Sequence, residues 1–111
     1  MPTDAELSEY TKKLPPIYRD ILAAYPEVEP GRRPGGGLAF QTLTIHFVNQ
    51  RIEHGFVDVQ EACERLAGAG LLEIRNGIFA HPTELGERLI AVLTGKRASE
   101  RRIPELPQPT W

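Results

Sequence analysis

The sequence lacks most of the features that mark secreted or membrane-spanning proteins. It has one cysteine, Cys63, in 111 residues, which excludes an internal disulfide framework. No apolar run approaches the roughly 18 residues of a membrane span, and the N-terminus lacks the apolar core of a signal peptide. We therefore expect one small cytoplasmic domain without a membrane segment.

An excess of basic residues is also missing. The chain has 13 Lys and Arg against 15 Asp and Glu, which gives a formal net charge of −2 at pH 7. DNA-binding domains usually carry a basic patch, because the neutralisation of phosphates supplies most of their affinity. The composition therefore argues against a strongly basic, DNA-binding surface.

Residues suited to catalysis or metal binding are few and poorly spaced. His46, His54, His81 and Cys63 are the only soft or borderline metal ligands in the sequence. His46 and His54 lie eight residues apart, and neither has a partner at the spacing that places two ligands on one side of a helix. Cys63 precedes Glu64, a setting that does not favour a reactive thiolate. We expect no metal site, no cofactor and no enzymatic activity.

The most strongly patterned stretch of the chain begins with a capped helix. Asp58 and Glu61 have the spacing of a capping box, in which two side chains satisfy free N–H groups at a helix start. Gly68 and Gly70 are predicted to end this helix. Its apolar residues recur at helical spacing and predict one buried side: Val59, Ala62, Cys63, Leu66 and Ala67.

A β-hairpin is predicted to follow. Asn76-Gly77 is the preferred pair for a two-residue type I′ turn, which requires positive φ at both positions. Such a turn pairs Arg75 with Ile78 and leaves alternate residues on the inner side of the hairpin. The predicted inner residues are Leu72, Ile74, Phe79 and His81.

A further helix and a tail complete the C-terminal part. Thr83 is a natural N-cap, and Gly95 is well placed to end the helix. The predicted buried residues of this helix are Leu85, Leu89, Val92 and Leu93. Residues 96–111 are basic at first and then proline-rich, which predicts an extended tail.

Two helices are predicted near the N-terminus. Thr3 and Glu6 form a second possible capping box, so residues 1–14 are predicted to be a short helix or an arm that packs on a partner. Pro16 suits the first turn of the next helix, and Pro26 is predicted to end it. Its predicted apolar residues are Ile17, Tyr18, Ile21, Leu22 and Tyr25.

The middle of the chain combines a loop with an unusually apolar segment. Residues 27–37 are rich in Gly and Pro and predict a loop that carries Arg32 and Arg33. Residues 38–53 predict a helix that Gly55 ends, with a strand as the alternative because of the β-branched content. Its apolar side covers about 200°, so we expect it to be central or to face a second subunit. The residues concerned are Phe40, Leu43, Ile45, Phe47, Val48 and Ile52.

The segment RLAGAGLLEIRNGIFAHPTELGERLI resembles the second half of a winged-helix domain. In that family a recognition helix runs into a GL-(I/L)-E strand, a hairpin called the wing, and a helix that starts with Thr-x-x-Gly. The resemblance mainly covers residues 58–94. It implies a mainly α fold with a small antiparallel β-hairpin, in which a three-helix core is followed by a wing and a C-terminal helix over residues 15–95.

Two functions are compatible with these patterns. The resemblance implies a small transcription-regulator-like module, a homodimer that binds double-stranded DNA. The candidate DNA contacts are Arg32, Arg33, Gln60, Arg65, Arg75 and Asn76. However, Glu61 and Glu64 share the open side of the predicted recognition helix, and DNA phosphates repel carboxylates. The alternative is a winged helix used for protein interaction or assembly, through the apolar helix 38–53 and the N-terminal arm.

Overall fold

Five helices and three short strands make up the part of the chain that the structure describes. A computed structural model describes the backbone of residues 2–102 and the side chains of residues 2–93. The strands form one antiparallel sheet in the order β1-β3-β2. The predicted mainly α fold with a small antiparallel β-hairpin is confirmed, and one strand is added to it. The elements are α1 (Asp4–Lys13), α2 (Pro16–Val28), β1 (Leu38–Ala39), α3 (Phe40–Asn49), α4 (Phe56–Gly68), β2 (Leu72–Arg75), β3 (Phe79–Pro82) and α5 (Glu84–Arg102).

One hydrophobic core holds all of these elements together. Helix α2 contributes its centre, because Ile21, Leu22 and Tyr25 are fully buried. The Tyr25 hydroxyl donates a 2.7 Å hydrogen bond to the carbonyl oxygen of Ala80 and so joins α2 to β3. The capping box of Thr3 and Glu6 is confirmed at the start of α1. Leu7 and Leu14 of this N-terminal segment lie in the same core as α2.

Helix α2 is longer than its prolines predict. Pro26 does not end it but lies inside its last turn, and the helix runs to Val28. A proline near the end of a helix removes only its own N–H donor, and that loss is tolerable where few turns remain. Glu29, the residue that caps the helix, donates its N–H to the Tyr25 carbonyl at 3.1 Å.

The predicted helix over residues 38–53 is shorter at both ends. Leu38 and Ala39 form strand β1 and pair with Ala80 and Phe79 of β3, so the alternative strand prediction is correct for these two residues. The helix itself ends at Asn49. Backbone geometry explains the end, because the residue at 51 adopts the left-handed conformation with φ +58° and cannot continue a helix.

Helix α4 begins three residues before the predicted start, since its N-cap is at position 55 and was expected at position 58. Its N-cap is Gly55, which was predicted to end the preceding helix, and its first residue is Phe56. Asp58 is therefore not the N-cap. It lies in the first turn of the helix, where its carboxylate interacts favourably with the helix dipole. The predicted buried side is confirmed for Val59, Ala62, Cys63 and Leu66.

The hairpin has the predicted turn but a register shifted by one residue. Asn76 and Gly77 have φ of +56° and +70°, as a type I′ turn requires. Ile78 is then extra, so Arg75 pairs with Phe79 and not with Ile78. A one-residue shift turns every side chain of the strand to the other side. Ala80 and Pro82 are consequently buried, whereas Phe79 is exposed and His81 is half-buried.

Helix α5 starts as predicted and continues past its predicted end. Thr83 is confirmed as the cap, since its hydroxyl accepts the Gly86 N–H at 3.1 Å. Gly95 does not end the helix, which reaches Arg102. A single glycine inside a helix costs only about 1 kcal/mol, and no proline follows before residue 104. The proline-rich segment 103–111 lies outside the described residues. No helix within them is long and apolar enough to span a bilayer.

Candidate functional site

Arg32, a candidate DNA contact, is engaged inside the protein. Its guanidinium binds both carboxylate oxygens of Glu87 on α5, at 2.7 and 2.9 Å. The same group donates to the carbonyl oxygen of Gly36 at 2.9 Å and lies 5.1 Å from the centre of the Tyr25 ring. The Arg32 side chain is only 10% exposed. Its donors are directed at the protein, so we assign Arg32 a structural role.

The Glu87 carboxylate anchors the glycine-rich loop before β1. It accepts hydrogen bonds from Arg32 and from the backbone N–H of Gly35. Burial raises the pKa of Glu87, but the bonds from Arg32 and Gly35 outweigh burial, and the pKa lies below its ordinary value of 4.5. The loop also packs on β3, where His81 Nδ1 donates to the Gly35 carbonyl at 3.0 Å. A side chain at Gly37 would have its Cβ 2.5 Å from the His81 ring, so this close approach needs glycine.

The candidate contacts on α4 and on the hairpin are paired with neighbouring carboxylates. Arg65 binds Glu61 at 2.8 Å, and bonds with Glu61 and Tyr18 raise the pKa of Arg65. Arg75 binds Glu73 at 3.2 Å. Exposed pairs of this kind stabilise a protein only weakly and open easily, because water and salt screen their charges. The pairs nevertheless cancel the positive charge locally, so neither element presents a basic patch.

The three remaining candidates, Gln60, Asn76 and Arg33, lie on different elements of the structure. Gln60 is half-buried and donates to Glu64 at 3.4 Å. Asn76 is exposed at the tip of the hairpin, and Arg33 is exposed in the loop that Arg32 fixes to α5. The structure thus places Gln60 and Arg65 together on α4 and Arg75 and Asn76 together on the hairpin. It brings together no group of unpaired basic side chains among the six candidates.

The structure reveals an exposed apolar surface that sequence reasoning identified only in part. Seven large apolar side chains are notably exposed in the described part of the chain, and six of them lie on α3, on the first turn of α4 and on the hairpin. Val57 is 73% exposed and Val48 is 65% exposed. We call this set the α3–α4 apolar surface. Its members are Ile45, Val48, Phe56, Val57, Ile78 and Phe79.

Contacts through Phe40 and Gly55 link the elements that carry this surface. The Phe56 ring packs edge-on against the buried Phe40 ring, with centroids 6.5 Å apart. The Phe40 N–H in turn donates to the carbonyl oxygen of Ile78 at 3.0 Å. On the other side, Val48 lines a shallow cleft together with Gly55, the residue before Phe56. The six exposed side chains therefore lie on adjoining elements, namely α3, the start of α4 and the hairpin.

The histidines and the cysteine have structural environments. His46 binds Glu27 at 3.0 Å, and His54 binds Asp20 at 2.8 Å, so both join the α3 region to α2. Cys63 is buried, and burial together with Glu64 raises its pKa to about 12, which keeps it as an inert thiol. Within residues 2–93, no three His, Cys, Asp or Glu side chains are grouped to hold a metal ion.

No family model, curated protein or solved structure matches this chain.

Proposed function

We propose that this protein is a winged-helix-type interaction module that binds another polypeptide through the α3–α4 apolar surface and does not bind DNA. The observation that carries the proposal is the exposure of six large apolar side chains on adjoining elements. Together they present on the order of 500 Å² of apolar surface, near the upper end of what monomeric proteins leave uncovered. Such patches commonly mark interaction sites.

The order of the elements supports the winged-helix part of the proposal. Three helices, α2, α3 and α4, precede the β2–β3 hairpin, and α5 follows it. This is the order that the resemblance implies, with α4 as the recognition helix and β2–β3 as the wing. Under that assignment, Phe56 and Val57 lie on the first turn of the recognition helix and Ile78 lies at the wing tip, where a DNA-binding protein would need basic side chains.

Charge on α4 opposes DNA binding further. Its exposed side carries Asp58, Glu61 and Glu64 against a single arginine, Arg65, which Glu61 already binds. Acidic side chains placed against DNA are repelled by phosphates and find favourable partners only in cytosine amino groups. In addition, apolar side chains gain less free energy against the hydrated sugar–phosphate backbone of DNA than they gain by packing against another protein.

A weak DNA-binding regulator is the second candidate, and the order of the elements favours it as well. Its contacts would come from the exposed candidates Arg33, Arg65, Arg75 and Asn76, together with the half-buried Gln60. Its affinity would depend on opening the Arg65–Glu61 and Arg75–Glu73 pairs.

A duplex-binding assay separates the two candidates. Fluorescence polarisation of a labelled random duplex at low salt is expected to stay unchanged up to tens of micromolar protein. Binding that weakens with added salt would contradict the proposal, because salt dependence reports phosphate contacts. In that case Arg65→Glu and Arg75→Glu should abolish binding, whereas Lys12→Glu on α1, an equally exposed and paired cation, should not.

A second measurement tests whether the α3–α4 apolar surface contributes to the stability of the folded monomer. Val57→Asp is expected to change the free energy of unfolding of the monomer by less than about 0.5 kcal/mol, because an exposed side chain loses little on substitution. Urea denaturation at a concentration where sedimentation shows only monomer checks this. Val59→Asp, at a fully buried position of the same helix, is the control and should unfold the chain. A large loss with Val57→Asp would show that the surface is needed for folding and would contradict the proposal.

A further inference from the structure

We infer that the polypeptide bound by the α3–α4 apolar surface is a second copy of this chain, with the two α3 helices packed against each other about a two-fold axis. This inference rests on the proposed function and specifies the partner. The first support for the inference is the residue composition of α3. Helix α3 contains no Lys, Arg, Asp or Glu in its ten residues. Depletion of charge is typical of the centre of a protein interface.

A two-fold axis makes this absence of charge significant. In a symmetric dimer the same patch occurs on both sides of the interface, so any charge near the axis meets its own copy. The exposed side of α4 would bring Asp58, Glu61 and Glu64 towards their equivalents and would repel them. The exposed side of α3 places neutral amide, hydroxyl and aliphatic groups there instead. Helix α3 is therefore suited to the axis, and the acidic residues of α4 are suited to the solvated rim.

The spacing of the exposed residues of α3 matches a helix–helix seam. Gln41, Ile45 and Val48 are exposed and are separated by four and then three residues. This is the spacing at which side chains of one helix enter the gaps of a facing helix. In an antiparallel pair with the axis between Ile45 and Val48, each of these residues faces the other one in the second copy. Gln41 then lies at the edge, where an amide group remains hydrated.

The size of the apolar surface agrees with a stable dimer. About 500 Å² of apolar area, at the roughly 60% apolar fraction of protein interfaces, corresponds to roughly 800 Å² per copy. Two such faces bury about 1,600 Å², which is the standard size of a specific interface. Phe56, Val57 and Ile78 flank the seam, and in the dimer they would cover the sides of the partner's α3.

Sedimentation velocity of the full chain tests the inference. The wild-type protein is expected to sediment at twice its 12.4 kDa mass at tens of micromolar. Val48→Arg should weaken the dimer by about 100-fold or more, because it buries a charge next to the axis. Tyr10→Arg is the matched control, since Tyr10 on α1 is the one other large apolar side chain that is notably exposed among the described residues. It should leave the dimer intact.

Cysteine pairing then tests the antiparallel geometry. The buried Cys63 thiol is inert, so a cysteine introduced by Ile45→Cys or by Val48→Cys is the reactive one. Oxidation of an equal mixture of these two variants should give mainly the mixed disulfide, as mass spectrometry under non-reducing conditions would show. A Tyr10→Cys variant should form no disulfide under the same oxidation.

Three other outcomes would overturn either this inference or the proposed function. A wild-type chain that stays monomeric at about 200 µM and binds no duplex overturns the second copy as partner, since a standard-size apolar interface should be populated there. That result leaves the proposed function in place. A dimer that Tyr10→Arg breaks and Val48→Arg does not also overturns the inference, because it places the interface on α1. Salt-sensitive duplex binding overturns the proposed function itself.

Discussion

Gly86→Ala is expected to lower the free energy of unfolding by about 3 kcal/mol, the upper range for overpacking in a core. A Cβ at this position would overlap the carbonyl oxygen of Leu71 and lie 3.0 Å from its carbonyl carbon. The Leu71 carbonyl cannot move aside easily, because it accepts the Thr83 N–H at 3.1 Å. The clash therefore has to displace the first turn of α5 or the segment that leads into β2. Urea denaturation of both proteins measures the loss.

Gly68→Ala is the matched control for this substitution. Gly68 is the last residue of α4, and a Cβ there would meet nothing within 4 Å. Alanine should therefore be neutral or stabilise the protein by up to about 0.5 kcal/mol through helix propensity. Equal stability of Gly86→Ala and the wild type would mean that α5 does not pack on Leu71 as described. The glycine of the Thr-x-x-Gly pattern thus has a steric reason in this chain.

Arg32→Met is expected to cost about 3 kcal/mol, since it leaves a partly buried carboxylate without its partner. Glu87 would lose two hydrogen bonds, and the Gly36 carbonyl would lose its donor. Arg32→Lys should recover only part of the loss, because an ammonium group cannot bind both carboxylate oxygens in the same geometry. Arg33→Met removes the neighbouring exposed arginine and should change stability by less than about 0.5 kcal/mol. Thermal or urea unfolding at pH 7 compares the three variants.

The pH dependence of stability provides a second readout of the same cluster. The pKa of Glu87 is lower in the folded protein than its ordinary value of 4.5. Its contribution is therefore complete above pH 4.5 and is lost as the pH falls through the folded pKa. Between pH 7 and about pH 3 the wild type should lose more stability than Glu87→Gln, which carries no titrating group. Parallel curves would contradict the assignment of Arg32 and Glu87 as an ion pair that stabilises the fold.

Local chemistry explains the parts of the fold that the sequence predicts correctly. The caps at Thr3 and Thr83 and the turn at Asn76-Gly77 depend on residues within three positions of each other, so the sequence contains all the necessary information. The hairpin register depends on more distant residues. Ala80 of β3 is buried, and the Tyr25 hydroxyl of α2 donates a hydrogen bond to its carbonyl oxygen. Packing against α2 therefore selects the register that places the Ala80 side chain in the core.

The candidate site shows the same division between local and distant information. The acidic character of α4 and the apolar excess of α3 are visible in the sequence. The engagement of Arg32 is not, because Glu87 is 55 residues away and its position depends on the docking of α5. The exposure of Phe56 and Val57 also depends on the start of α4 at Phe56. Gly55 sets this boundary, whereas the sequence alone predicts it at Asp58.

The contacts around Tyr25 constrain the order in which the chain can fold while it is being synthesised. Its hydroxyl binds Ala80, and its ring lies beneath Arg32, which is held by Glu87. The Tyr25–Ala80 and Arg32–Glu87 contacts each span 55 residues of the chain. Contacts between such distant residues slow folding, because the entropy of a long loop must be lost before the contact forms. On the ribosome, the Arg32–Glu87 contact above Tyr25 consequently cannot form until the start of α5 has left the exit tunnel.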